Sequence, residues 1–131
     1  MTSTIHLLLA DACTFFRRGV EAALAHEPDL QIIATATSFQ RAEGFEPDII
    51  MVNGLLHSGE QPAWKLLRQT YGQVPMAIVW DKPLLALMQQ AMAAGVTGQL
   101  LANTGPSEAI SLLRRIHGGE PGICKALMPS L

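Results

Sequence analysis

The run Ile49-Ile50-Met51-Val52 carries four apolar residues in a row with no alternation. Pro47-Asp48 precedes it as a turn signal, and Asn53-Gly54 closes it. A short continuous apolar run between turn signals fits a strand buried on both faces, as in a parallel sheet. The same kind of run recurs at Ile5–Ala10, Leu30–Ala36, Met76–Trp80 and Val96–Leu101. Between these runs lie stretches with helical spacing. Thr14–Ala25 places Phe16, Val20, Ala23 and Leu24 on one side and stops at Glu27-Pro28-Asp29. Ser38–Phe45 has room for about two turns. Pro62 suits the start of a helix to about Tyr71, with Trp64, Leu66 and Leu67 facing inward. Pro83 opens a helix through Ala94, with Gly95 at its end, and Gly105-Pro106-Ser107-Glu108 opens the last one, with Ile110, Leu113 and Ile116 on one face. Strand–helix repeated five times predicts an α/β fold, a doubly wound parallel sheet of five strands with helices on both faces.

Composition limits the function classes. The 131 residues make one domain, and 49% apolar content suffices for a full core. A mean hydropathy of +0.25 predicts some apolar surface covered by a partner. The net charge of −2 supplies no global field for nucleic acid or an anionic membrane. No apolar run reaches the roughly 18 residues a spanning helix needs, and the N-terminus moves into a strand without a basic signal opening. Cys13 and Cys124 lie far apart without metal-ligand spacing, so a reduced, cytoplasmic protein is expected. No nucleophilic triad order and no glycine-rich phosphate loop is present.

In open parallel sheets, ligands and chemistry sit beyond the carboxyl ends of the strands. Those ends deliver Asp11, Thr37, Asn53, Trp80 and Leu101-Ala102. The segments Asp11–Val20, Glu27–Leu30, Pro47–Asn53, Ala93–Gly98 and Gly118–Glu120, in this order and spacing, resemble a response-regulator receiver domain. The resemblance is to the NarL/FixJ type that precedes a LuxR-type helix-turn-helix, and it runs from about Ile5 to Glu120. It implies the flavodoxin-like, CheY-like (βα)5 receiver fold.

The resemblance also implies a working site, which this sequence departs from. The aspartate that accepts a phosphoryl group is replaced by Asn53, whose neutral amide is a poor nucleophile. Of the acidic pair that helps hold Mg²⁺, Asp11 remains and its neighbour is Ala12, a weak site for that ion. Trp80 stands where the switch hydroxyl belongs, Gln99 where the switch aromatic belongs, and Ala102 where the family has lysine. Phosphoryl chemistry, Mg²⁺ and any other cofactor are therefore not expected. The chain is identified as a pseudo-receiver: a non-enzymatic regulatory domain over residues 1–120. Residues 121–131 would lead towards a DNA-binding domain outside this chain.

Individual residues keep two readings. Asn53 either mimics one phosphorylation state or makes local hydrogen bonds, and Asn53-Gly54 is a deamidation-prone pair. Asp11 either holds a cation or a ligand amine, or caps the following helix. Cys13 is either a redox sensor or a small, partly buried side chain, and His57 is either a site residue or a loop histidine facing solvent. Arg17-Arg18 and Arg114-Arg115 either pair across a homodimer or face solvent. Leu84, Leu87, Met88 and Met92 offer an adaptable apolar helix face, about half of it core. The expected partners are a second copy or another protein, with DNA reached only through the further domain and no membrane. A small-molecule sensor using the emptied acidic pocket is the alternative, and an active phosphorylation-type or other flavodoxin-like enzyme ranks third. Trp80 is expected to fill that pocket.

Overall fold

The computed structural model describes residues 4–36 and 46–130. The short helix expected over Ser38–Phe45, and Thr37, lie outside the described residues. In chain order the elements are β1 (Ile5–Ala10), α1 (Thr14–Leu24), β2 (Leu30–Ala36), β3 (Ile49–Asn53), β4 (His57–Ser58), β5 (Gln61–Pro62), α2 (Ala63–Tyr71), β6 (Met76–Trp80), α3 (Leu85–Ala93), β7 (Gly98–Leu101), α4 (Pro106–His117) and β8 (Gly122–Ile123). A 3-10 helix, Lys125–Ser130, follows.

The sheet order is β2-β1-β3-β6-β7-β8, and every pairing is parallel. The chain winds outward from β1 to β2, then returns past β1 to β3. This places the topological switch point between β1 and β3, where crevices open in doubly wound sheets. The apolar runs are buried as their lack of alternation requires: Leu7, Leu9, Ile49, Ile50, Val52 and Ile78 are all 0% exposed.

The expected five-stranded sheet is corrected to six. After α4 the chain turns back at Gly118-Gly119 and adds β8 beside β7, with Gly98 opposite Gly122 and Gln99 opposite Ile123. The Gly122 N–H donates to the Thr97 carbonyl and the Cys124 N–H to the Gln99 carbonyl, each at 3.0 Å. Gly122 fits because the strand passes close under α4: a Cβ there would meet Ile116 Cγ2 at 2.8 Å and the Leu112 carbonyl oxygen at 3.0 Å. Cys124 and Leu127 then bury themselves in the core. The loop expected over Gly54–Gln61 contains a two-residue antiparallel hairpin, β4 with β5, turning at Gly59.

Arg114 ties the last helix to the turn after the first. Its Nη2–H donates to Asp29 Oδ1 at 2.7 Å and its Nε–H to Asp29 Oδ2 at 3.1 Å, with Glu27 at 3.5 Å. The two-pronged bond from the guanidinium holds the Asp29 carboxyl below its ordinary value of 3.8. A lowered folded value means that the contribution is complete above the ordinary value and is lost as pH falls through the folded one. In pH-dependent thermal melts, the melting temperature of the native chain is expected to fall more steeply below about pH 4 than that of Asp29→Asn. Parallel acid slopes would show that the pair contributes nothing.

Candidate functional site

The carboxyl ends of β1 and β3 bring Asp11 and Asn53 together across the switch point. Asp11 is 2% exposed, a buried carboxylate that needs partners. The Cys13 backbone N–H donates to its Oδ1 at 2.8 Å, and the Asn53 side-chain N–H donates to its Oδ2 at 3.3 Å. Arg17 donates to the Asp11 carbonyl at 2.5 Å. The Asn53 amide is oriented by its other end, since the Leu55 N–H donates to Asn53 Oδ1 at 2.8 Å. Reversing that amide would set oxygen against the carboxylate and nitrogen against an N–H.

This arrangement does not fit Mg²⁺. The ion needs carboxylate oxygens facing it, and one of the two Asp11 oxygens faces an N–H of Asn53 instead. Ala12 offers no ligand, and no cluster of three or more metal-ligating side chains occurs among the described residues. Each Asp11 oxygen already accepts an N–H from within the chain.

Beside this pair, Trp80 ends β6 with 0% exposure. Its six-membered ring lies on the backbone of Gly54, so closely that a Cβ at residue 54 would collide with ring carbons Cζ3, Cε3 and Cη2. The Trp80 Nε1–H donates to Gln99 Oε1 at 2.6 Å, and the Gln99 amide donates to the Met88 carbonyl in α3 at 3.2 Å. Gln99, also 0% exposed, is thus held from both ends. The Gly54 N–H donates to the Val79 carbonyl at 2.8 Å, which occupies the nitrogen that would attack Asn53 in deamidation.

The remaining expected positions divide. Ala12 and Ala102 are exposed at the rim. Cys13, expected partly buried, is exposed, and so is His57, whose Nδ1 lies 2.9 Å from the Leu55 carbonyl. Met88 lies inside: it is 0% exposed and belongs to the core, while Leu87, Leu85 and Met92 of α3 are exposed. Leu84, just before α3, packs partly against the core. Arg114 is engaged within the chain, and Arg115 donates to the Pro121 carbonyl at 3.1 Å. The Trp80–Gln99 bond is the feature sequence reasoning missed. A large donor at one strand end and a buried-strand glutamine were its two visible halves.

A doubly wound parallel sheet with a buried acidic residue beside β3 is the architecture of response-regulator receiver domains, and the likeness to solved structures shows that fold. The isolated receiver domain of RcsB from Salmonella enterica serovar Typhimurium, with a phosphomimetic BeF3⁻, superposes with a TM-score of 0.87 at 9% identity, covering 98% of this chain and 99% of that one. A LuxR-family response regulator from Aurantimonas sp. SI85-9A1 gives 0.85 at 21%, covering 98% and 95%. The receiver domain of NarL from Mycobacterium tuberculosis gives 0.77 at 17%, covering 90% and 99%. In sequence, the chain is 24% identical over 120 residues to the transcriptional regulatory protein LnrK of Bacillus subtilis, across 88% of this chain and 54% of that protein. The chain therefore spans about half the length of this curated relative. No protein-family model matches.

Trp80→Thr removes a fully buried indole and is expected to cost about 3–5 kcal/mol, read as a lower melting temperature. Gly54→Ala should also destabilise, because its methyl meets the ring. In the double variant the two losses should fall well short of adding, since the smaller side chain at position 80 leaves room for the methyl. Additive losses would place the ring elsewhere.

Proposed function

We propose that this chain is a pseudo-receiver: a non-enzymatic regulatory domain of the response-regulator type that works without phosphorylation. The observation that carries this reading is Asn53. It occupies the acceptor position at the end of β3 and spends its amide holding the one remaining carboxylate, Asp11. An amide there cannot form an aspartyl phosphate, and the site does not fit the metal that such a transfer uses. Incubation with acetyl phosphate and Mg²⁺, followed by intact-mass measurement, is expected to give no phosphoryl gain. Asn53→Asp should also stay unmodified, because Ala12, Ala102 and Trp80 remain. A gain on the native chain overturns the proposal.

The wider setting follows the same reading. The relatives include a transcriptional regulatory protein, and RcsB has been solved bound to DNA and as dimers. We place this domain in a cytoplasmic transcription regulator with a separate DNA-binding domain; its packed part runs past the expected boundary at residue 120, through β8 to Leu127. Among the described residues no helix is long and apolar enough to cross a membrane. Small-molecule sensing through the acidic pocket has less support, because Asp11 and Trp80 are both buried.

Self-association is assigned to α3 rather than to the arginine pairs. Leu85, Leu87 and Met92 are 46%, 37% and 43% exposed, whereas Arg114 is satisfied within the chain. Leu87→Glu combined with Met92→Glu is expected to turn a dimer into a monomer in sedimentation velocity, with the melting temperature of the monomer little changed. A dimer that survives both charges places the interface elsewhere.

A further inference from the structure

A cavity lies on the opposite face of the sheet from Trp80 and Gln99, between α1 and α4. It measures about 280 Å³. Its floor is the sheet itself, through Met51, Val79 and Leu100, and no charged side chain is among its lining residues. It is open to solvent on its outer side, where Phe15, Gly19 and Pro106 are exposed, and apolar along its floor. Small residues keep it open. Gly19, in the middle of α1, lines it, and a Cβ built there would meet nothing within 4 Å. Gly19 is exposed on the rim, so a larger side chain there would extend over the opening.

At the mouth stand Phe15, which is 90% exposed, and Ala102, where the family resemblance has a lysine. A charged side chain at Ala102 would close the entrance to an apolar molecule, and the alanine leaves it open. Thr104 also lines the cavity. Its hydroxyl oxygen accepts from the Leu101 N–H at 3.1 Å, which leaves its own hydrogen free to donate.

We propose that this cavity binds a small, uncharged aromatic molecule. Size, charge and shape select that class. An apolar void of about 150 Å³ takes one benzene ring, so this cavity suits two fused rings, roughly ten non-hydrogen atoms. A lining without charge leaves a carboxylate or an ammonium desolvated and unpaired. A partner helix, roughly 10–12 Å across, is too wide to reach a floor set between two helices. The aromatic edge of Phe15 then closes over the ligand and gains the burial it lacks in the free chain. The site lies across the sheet from Trp80 and uses neither Asp11 nor Asn53; it shares only Ala102 with the pseudo-receiver reading.

Indole is the probe, and indole-2-carboxylate its charged counterpart. Thermal unfolding of the full chain with rising indole is expected to show a saturable upward shift of about 3–6 °C, with no shift from the carboxylate. Gly19→Leu fills the cavity, so it should raise the melting temperature by itself and abolish the indole response. Phe15→Ala should fold normally and weaken indole binding several-fold. No saturable shift, or an equal shift in Gly19→Leu, overturns the proposal. So does a change in oligomeric state caused by Gly19→Leu, which would make a second copy the occupant.

Discussion

The hydrogen bond from the Trp80 indole to Gln99 Oε1 is the interaction on which this structure depends. Both side chains are buried without solvent, so each polar atom needs a partner inside the protein. The indole supplies one donor and the glutamine accepts it at 2.6 Å. The other end of the glutamine amide donates to the Met88 carbonyl and so ties β7 to α3. Removing either side chain strands the other in an apolar setting, which costs more than the bond itself contributes. The shape of the neighbourhood follows. Residue 54 must be glycine because the ring lies on its backbone, and α3 is held to the sheet at Met88, whose side chain is buried.

The Asp11–Asn53 pair is the electrostatic side of the same arrangement. A buried carboxylate close to other carboxylates needs a cation to offset them. Here the neighbours of Asp11 are a neutral amide, at Asn53, and a methyl, at Ala12. What remains is a single negative charge satisfied by Cys13 N–H and Asn53 N–H. The pair thereby serves as part of the scaffold, linking the ends of β1 and β3 across the point where the chain changes direction.

The strands and most helices were legible in the sequence because burial on two faces leaves a continuous apolar run, as in β1, β3 and β6. The sixth strand was not, since two residues, Gly122 and Ile123, carry no periodicity. Nor could the facing of α3 be read in full: Gln89 and Gln90 are its only polar residues, too few beside Leu85, Leu87, Met88 and Met92 to mark a solvent stripe. Only the structure separates buried Met88 from exposed Leu87. Asn53, Trp80, Gln99 and Ala102 were each visible one by one as residues at or near strand ends. Their joint effect was not, because the Trp80–Gln99 bond depends on the register that sets Ile78 opposite Gln99. The pairing of Arg114 with Asp29 spans 85 residues and leaves no local mark.

A receiver that signals by phosphorylation needs two packings of nearly equal energy, so that a small local change can choose between them. The Trp80–Gln99–Met88 chain works against that near-equality. Its members are fully buried, and any alternative placement of the indole takes the donor from Gln99 Oε1 and uncovers the space above Gly54. On the pseudo-receiver reading, a signal that enters this domain must therefore act where the packing is loose rather than where it is locked. The half-open apolar cavity between α1 and α4 is one place where the packing leaves room. Occupancy there changes the contacts between two helices that Arg114 already couples through the turn at Glu27–Asp29. The locked indole and the open apolar cavity are thus two parts of one distribution: rigidity on the α3 face of the sheet, and adjustable packing on the α1–α4 face.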